Sequence, residues 1–506
     1  DALAGGEGWL SVRLREYPGA IRAGLALAQI HYERDEPDLA LELLAELRAQ
    51  TKSMEVARVH EQLLRETGSA DEAMSYTADR ISTQGGIDSA LEYVLLIAQF
   101  GDPDEIAPAT ENLFHAIPDD VELFPAQVQL LSRIVYALAE RAETPGIDAP
   151  MLRVVNLIED RTGELDFFMA RTKVLLHSRK PKTELDLDQL IELVSSYASR
   201  FDDNAQKQQL EALPIQVLLG EDRGHEAISL VTRMAINGGE IRNDLIIEAF
   251  RLLGAVGESS DLLGVLDELD RAGVMQQVIE LTTNRLGTPE RPQEDLNPDE
   301  QRADLAYTAG AMAAAFERDA HSETFMRLAI SFDEDHGWSN NDLGYLLLER
   351  GEQIDDASAM LEIAAETLPD QPNVIDSLGW LRYKQGIFED EVDEMSGQVM
   401  RRGAISLLAR ANRLDSERSN ATILLHLGDA FWRAGNRAQA IEAWVGGENM
   451  LRSRLRLLNA QPSETRNQRA IDVLSEELRA LRYRVQDAEA GGDPDIAPIF
   501  SETNGN

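Results

Sequence analysis

The residues of this 506-residue sequence that can do acid–base, metal or nucleophilic chemistry are plentiful, but their spacing does not suit that chemistry. Eight histidines stand at 31, 60, 115, 177, 225, 321, 336 and 426. His60-Glu61 and His225-Glu226 begin the pattern by which two histidines one helical turn apart hold zinc, yet each lacks the second histidine. The absence of cysteine removes disulfides, thiolate metal sites, iron–sulfur clusters and thiol nucleophiles together. No Gly-Lys pair occurs to close a phosphate loop, and no Gly-x-Ser-x-Gly provides a nucleophile elbow. Gly5-Gly6-Glu7-Gly8 has no strand before it, so a dinucleotide site is not indicated. Asp333-Glu334-Asp335-His336-Gly337 looks like part of a calcium loop but lacks the full ligand spacing and terminal Glu. With 90 Asp and Glu in the chain, any one carboxylate pair is uninformative. The expectation is a protein that is not an enzyme, with no catalytic residue, no metal, no cofactor and no small-molecule substrate.

A second kind of chemistry, recognition by aromatic area with polar ends, is better represented. Tyr307 opens a series continued by Trp338, Asn341 and Tyr345, then by Asn373, Asp376, Trp380 and Tyr383, then by Asp429, Trp432 and Arg433. Three of the five tryptophans fall in this series. Large rings with few rotamers beside amide and charged groups are what a peptide-binding groove uses. The same rings would equally serve to pack neighbouring helices together. Both readings stand at this level.

The elements that must carry the series are helices. Ala309-Gly310, Leu343-Gly344-Tyr345, Leu378-Gly379-Trp380 and Leu427-Gly428-Asp429 each open a stretch with helical periodicity. The glycines follow one another at 34, 35 and 49 residues. A turn glycine stands seven residues after each of the last three, at Gly351, Gly386 and Gly435. A second amphipathic stretch follows, with small residues at Ala357, Ala364 and Ala440, and Pro369 marks a helix stop. Residues one after the small glycine, and three or four to either side, share one face of the first helix, where the aromatic series lies.

This pattern resembles the tetratricopeptide repeat, a helix–turn–helix unit of roughly 34 residues, here in a bacterial-type scaffold. Leu343, Gly344, Leu347, Gly351, Ala357, Leu361, Ala364 and Pro369 match it with one extra turn residue; Leu427, Gly428, Phe431, Gly435, Ala440 and Trp444 match it with none. The resemblance implies an all-α fold, a right-handed α-solenoid of antiparallel helix hairpins. It implies that the first helices line a concave groove and that the function is protein–protein interaction, as a scaffold or adaptor binding a partner peptide or protein. The alternative is a non-catalytic accessory subunit of a larger assembly. Family members that clamp a C-terminal carboxylate use Lys, Arg and Asn, whereas Asp376 and Asp429 stand in the series here.

Along the chain, residues 1–120 read as degenerate repeats, with Leu27, Ala28, Ala40, Leu44 and Leu47 in pattern, Asp35 at a turn, and Gly68, Gly101 and Pro118 as later punctuation. Residues 121–285 read as divergent helical hairpins, with turns at Gly224, Gly257 and Gly273. Pro289, Pro292 and Pro298 mark 286–302 as a linker before the array at 303–450. The 49-residue step places an insertion at 387–402, or a lengthened helix there, and no segment reads as alternating strand. Residues 451–487 read as capping helices and 488–506 as an extended tail.

The formal charge of -42 disfavours nucleic acid and anionic membrane as partners. Its distribution is uneven: residues 396–485 hold 15 Arg against nine acidic residues, with Arg452, Arg454, Arg456, Arg479, Arg482 and Arg484 on the cap. Those arginines either dock an acidic partner or pair with local carboxylates. Only six of the 48 basic residues are Lys, which suits a salty habitat or a GC-rich genome and names no function. No apolar run approaches the roughly 18 residues of a membrane span. The sequence begins at Asp1 rather than Met, so the compartment, cytoplasm or (after loss of a signal) periplasm and cell envelope, is not written in it.

Overall fold

The computed structural model describes residues 2–17, 19–84, 86–118, 120–237, 241–286, 296–393, 395–415, 420–462 and 467–500. The chain divides into two compact units, Asp1–Arg223 and Gly224–Asn506. Both are built almost wholly from helices, as expected of a helix-hairpin solenoid.

Unit 1 begins with α1 (Ala2–Glu16), α2 (Ile21–Glu33), α3 (Pro37–Thr51), α4 (Met54–Glu66), α5 (Ala70–Gln84) and α6 (Ile87–Phe100). It continues with α7 (Pro103–Ala116), α8 (Pro125–Ala139), α9 (Asp148–Thr162), α10 (Phe167–Ser178), α11 (Leu187–Ala198) and α12 (Asn204–Gly220). The helix starts follow from local chemistry. Pro37, Pro103 and Pro125 occupy first turns, where a missing N–H costs nothing. The side chains of Asp166, Asp186 and Asp203 accept the first backbone N–H groups of α10, α11 and α12. Between these helices Leu44, Leu91, Leu96, Ile97 and Leu113 are fully buried.

One polar cluster ties α9, α10 and α11 together. Glu159 accepts hydrogen bonds from Lys173 Nζ at 2.6 Å, the Tyr197 hydroxyl at 2.8 Å and Arg200 Nη1 at 3.1 Å. Burial opposes ionisation of Glu159, but these donors hold its carboxyl below the usual range. Nearby, burial, reinforced by Lys180 and Lys173, lowers the His177 imidazole from 6.5 to about 4. The folded chain therefore refuses a proton that the unfolded chain accepts between these two values. Stability from neutral His177 is complete above the upper value and is lost as pH falls through the window. His177→Gln is expected to flatten the pH dependence of α10 amide protection in urea across that window; an unchanged slope would contradict this account.

Unit 2 opens with α13 (Gly224–Ile236), α14 (Asn243–Val256), α15 (Ser259–Ala272), α16 (Met275–Leu286), α17 (Pro298–Ala315) and α18 (Asp319–Phe332). Next come α19 (Gly337–Arg350), α20 (Ile354–Thr367) and α21 (Pro372–Lys384), then strands β1 (Glu391–Val392) and β2 (Val399–Arg401). The unit closes with α22 (Ala404–Leu414), α23 (Ala421–Arg433), α24 (Arg437–Asn459) and α25 (Gln468–Glu489). The pairs α17/α18, α19/α20, α21/α22 and α23/α24 form hairpins, and α25 packs on α24. Glycine is required where the first and second helices cross: a Cβ on Gly428 would overlap the Trp444 ring.

The expected linker at 286–302 needs correction. Residues 287–295, with Pro289 and Pro292, lie outside the described residues. Pro298, however, starts α17 instead of ending an element. The Asn297 side chain accepts from the N–H groups of Asp299 and Glu300, and Glu300 returns a bond to the Asn297 N–H. The compact-unit boundary falls earlier, at Arg223/Gly224. The physical reason is that α14 packs on α17 across the segment read as a break: Gly254 sits so close to Met312 that a Cβ would meet its backbone at 2.7 Å.

A second departure is the 387–402 segment, where no strand was expected. Between α21 and α22 it forms an antiparallel ribbon, Glu391 opposite Arg401 and Val392 opposite Val399. Asp393 shapes its tip by accepting from the N–H groups of Met395 at 3.1 Å and Ser396 at 2.6 Å. Asp390 anchors its base, accepting from Gly403 N at 2.8 Å and from the Ser406 hydroxyl. The strands are too short to show alternation, so turn chemistry alone carries the ribbon.

Candidate functional site

The first helices of the four hairpins, α17, α19, α21 and α23, carry the aromatic series. Helix α21 contacts both α19 and α23, whereas the second helices of successive hairpins approach one another less closely. The side on which α19, α21 and α23 meet is taken as the inner side of this array.

On α17 and α19 the series is turned inward. The Tyr307 hydroxyl donates to Asp342 Oδ2 at 3.0 Å, and its ring lies 5.6 Å from that of His336. His336 is fully buried; its Nδ1 accepts the Ser339 N–H at 3.1 Å, which leaves Nε2 to donate to Asp304 at 2.8 Å. Asn341 is buried and donates to Asp342 Oδ1 at 2.8 Å. Burial raises the Asp342 carboxyl despite the bonds from Asn341 and Tyr307. Trp338 is buried too, and Tyr345 is half-buried against the core.

On α21 and α23 the rings form a stack. Trp380 lies 3.9 Å from the His426 ring and 4.5 Å from Tyr383, and its Nε1 donates to Glu349 Oε1 at 2.6 Å. His426 Nδ1 stands 3.1 Å from both carboxylate oxygens of buried Asp376. Buried Asp429 accepts from Trp444 Nε1 at 3.0 Å, with Arg484 Nε at 3.3 Å. Burial raises the Asp429 carboxyl, opposed by Arg484 and His426.

Of the two readings left open by the sequence, packing between helices describes Tyr307, Trp338, Trp380, Tyr383 and Trp432, all of them buried, as are Asn341, Asp376 and Asp429. Neighbouring first helices stand close enough to enclose side chains that a lone helix would present to solvent. Asn373 remains exposed, where it accepts from Asn420 Nδ2 at 3.0 Å, and Tyr345 and Arg433 remain partly accessible.

Over the α21–α23 end of this inner side lies the chain's own C-terminal segment. Gly491, with φ of 79°, ends α25 and reverses the chain. Trp432 Nε1 donates to Asp493 Oδ1 at 2.9 Å. The Ala497 carbonyl accepts from the Tyr383 hydroxyl at 2.5 Å and from Arg433 Nη2 at 3.2 Å, while the Ala497 N–H donates to Asp429. Ile496 packs on the core cluster that contains Trp432, Trp444 and Leu481; Ala497, Ile499 and Phe500 pack on the cluster that contains Trp380 and Tyr383. The segment expected to be an extended tail is docked through residue 500. His426 and the tail were not among the expected site residues. The signal available for the tail was three large apolar residues among two prolines, a composition ill-suited to a solvated end.

Three of the cap arginines, Arg452, Arg482 and Arg484, find local carboxylate partners. Arg452 and Arg482 both reach Glu448, at 2.5 and 2.7 Å, beside the Arg484–Asp429 pair. A separate cleft of about 1170 Å³ opens along α22, α23 and α24 and includes Arg413, Leu424, Glu442 and Leu457. Among the described residues no cluster of His, Asp and Glu could hold a metal ion, and no helix is long and apolar enough to cross a membrane.

The sequence is similar to a TPR repeat-containing protein of Pseudomonas aeruginosa, 32% identical over 98 residues. Over that stretch the chain is similar to a tetratricopeptide-repeat protein. The match covers 19% of this chain and 17% of that relative, so the rest of the relative is not compared. No protein-family model matches the chain. Among solved structures, Naa15/Naa10 bound to HypK-THB is 13% identical, with 94% of this chain and 77% of that chain covered at a TM-score of 0.29. The APC/C hetero-tetramer Cut9–Hcn1 is 12% identical, with 93% of each chain covered at a TM-score of 0.26. Neither superposition is close enough to carry a functional inference. In tetratricopeptide terms, the docked tail crosses the inner helices of the last two repeats.

Proposed function

We propose that this chain is a non-catalytic scaffold that binds an extended protein segment on the inner side of its C-terminal tetratricopeptide array. The observation that supports this reading is Ala497. Its carbonyl and N–H are both taken by side chains of α21 and α23, so this surface has the donors and acceptor needed to hold an extended backbone. Asn373, Tyr345 and Arg433 are the positions of the predicted set left with access to a partner. The test is a photo-cross-linking residue placed in the full chain at Asn373, on the first helix α21, or at exposed Glu366, on the second helix α20 of the preceding hairpin. Cross-links to a common partner from position 373 and not from 366 are expected. The reverse pattern would sink the inner-side reading.

A second reading, an accessory subunit of a larger assembly, has its own support in the β1–β2 ribbon. Met395 is 98% exposed and Met400 71%, with Val392 and Val399 also open to solvent. Flexible apolar side chains on a projecting ribbon suit a contact with another subunit. Cross-links from the ribbon alone would favour it.

A further inference from the structure

The docked tail is a segment with the properties of a ligand. Both of its polar anchor residues stand immediately before a proline, in Asp493-Pro494 and Ala497-Pro498. A residue before proline is driven to extended backbone, and proline offers no N–H that would need a partner. The segment is therefore already extended before it docks, and little conformational entropy is lost on binding. Its anchors alternate with apolar contacts. Asp493 takes the Trp432 Nε1 bond; Ile496 packs on the core cluster that contains Trp432; Ala497 exchanges backbone bonds with Tyr383, Arg433 and Asp429; Ile499 and Phe500 pack on the cluster that contains Trp380 and Tyr383. Three residues separate the end of α25 from Asp493, so the tail is held at a high effective concentration over the site.

We infer that residues 493–500 are a built-in competitor that occupies the α21–α23 site in cis. The partner that opens the site is an extended, proline-containing segment of the same chemistry, with a carboxylate four residues before the residue held by Tyr383 and Arg433 and a branched apolar residue two positions after it. This inference rests on the scaffold reading above. It adds that the site is gated and states what passes the gate.

The test uses the full chain. Ile496→Asp with Ile499→Asp places two carboxylates among the tail's apolar contacts without altering α21 or α23. A fluorescein-labelled peptide spanning Asp493–Phe500 of the native sequence is titrated into both proteins and read by anisotropy. Binding to the released variant at least tenfold tighter than to the native chain is expected, and Arg433→Ala in the released background should weaken it. Equal affinity for both proteins, or no binding to a released variant of native helicity, would overturn the gate. Amide exchange on the native chain gives an independent reading that needs no released variant. The Ala497 N–H should be protected, and Arg433→Ala should expose it; an Ala497 amide exchanging at the unstructured rate in the native chain would also overturn the gate. The scaffold reading fails separately. If the peptide obeys these expectations and no partner cross-links from position 373 even in the released variant, the gate stands and the partner reading falls. If a partner cross-links equally to native and released chains, the gate falls and the partner reading stands.

Discussion

Trp444→Ala is expected to destabilise the last repeat by about 3–5 kcal/mol, the range for truncating a fully buried large aromatic side chain. Trp444 has no solvent exposure, and its ring fills the space that Gly428 leaves between α23 and α24. Its loss leaves a cavity that Gly428 cannot fill. It also removes the 3.0 Å hydrogen bond to Asp429, a buried carboxylate that burial already disfavours in its charged form. Because repeats are coupled mainly to their neighbours, the effect should be concentrated at the C-terminal end. Amide exchange in urea should show α23, α24 and α25 opening at lower denaturant while α2 and α3 of unit 1 are unchanged. A loss below about 1 kcal/mol would mean that the helices close over the vacated space and that the Gly428–Trp444 contact does not hold the hairpin together.

Trp380→Ala is expected to have an effect of similar size, about 3–5 kcal/mol, although Trp380 lies on the inner side where a partner was expected. The ring is buried between His426 and Tyr383, and its Nε1 is bonded to Glu349, so it joins α19, α21 and α23. Trp380→Phe keeps a ring in the stack and loses the Glu349 bond; about 1 kcal/mol is expected for the bond alone. Urea denaturation of the two variants checks the order. If Trp380→Ala unfolds at the native urea concentration, the ring is not part of the core. The expected result also changes how binding should be tested: loss of partner capture on mutating Trp380 would report damage to the array. Asn373 and Arg433 are the positions at which contact can be tested with less damage to packing.

The repeats could be read from the sequence because the constraint behind them is local and repeated. Gly428 and Ala440 must be small and Trp444 large for one hairpin to close, and that requirement recurs with the period of the unit. Proline was less transparent. Pro298, close to Pro289 and Pro292, read as part of a linker, yet the Asn297–Glu300 capping box makes it the first residue of a helix. The rotation of the aromatic series was also illegible. Spacing shows which residues share a helix face, but whether a face is open depends on the neighbouring helix. Here His426, 46 residues beyond Trp380, closes over that ring. The docking of the tail depends on a longer separation still. Tyr383 and Ala497 are 114 residues apart, and no periodicity links them. Sequence spacing therefore grouped the residues of one helix face, while the burial of its rings and the docking of the tail depend on contacts far apart in the chain.

The β1–β2 ribbon has a practical consequence. The chain contains no thiol, and Met395 at the ribbon tip is almost completely solvent-exposed. Met395→Cys would give the protein one cysteine, on a side chain that supports no packing, for attachment of a single dye. The ribbon follows Phe388, whose ring meets Tyr383 at 5.9 Å, and Tyr383 in turn holds Ala497. A fluorophore there, paired with one near the chain end, would turn tail position into an optical signal.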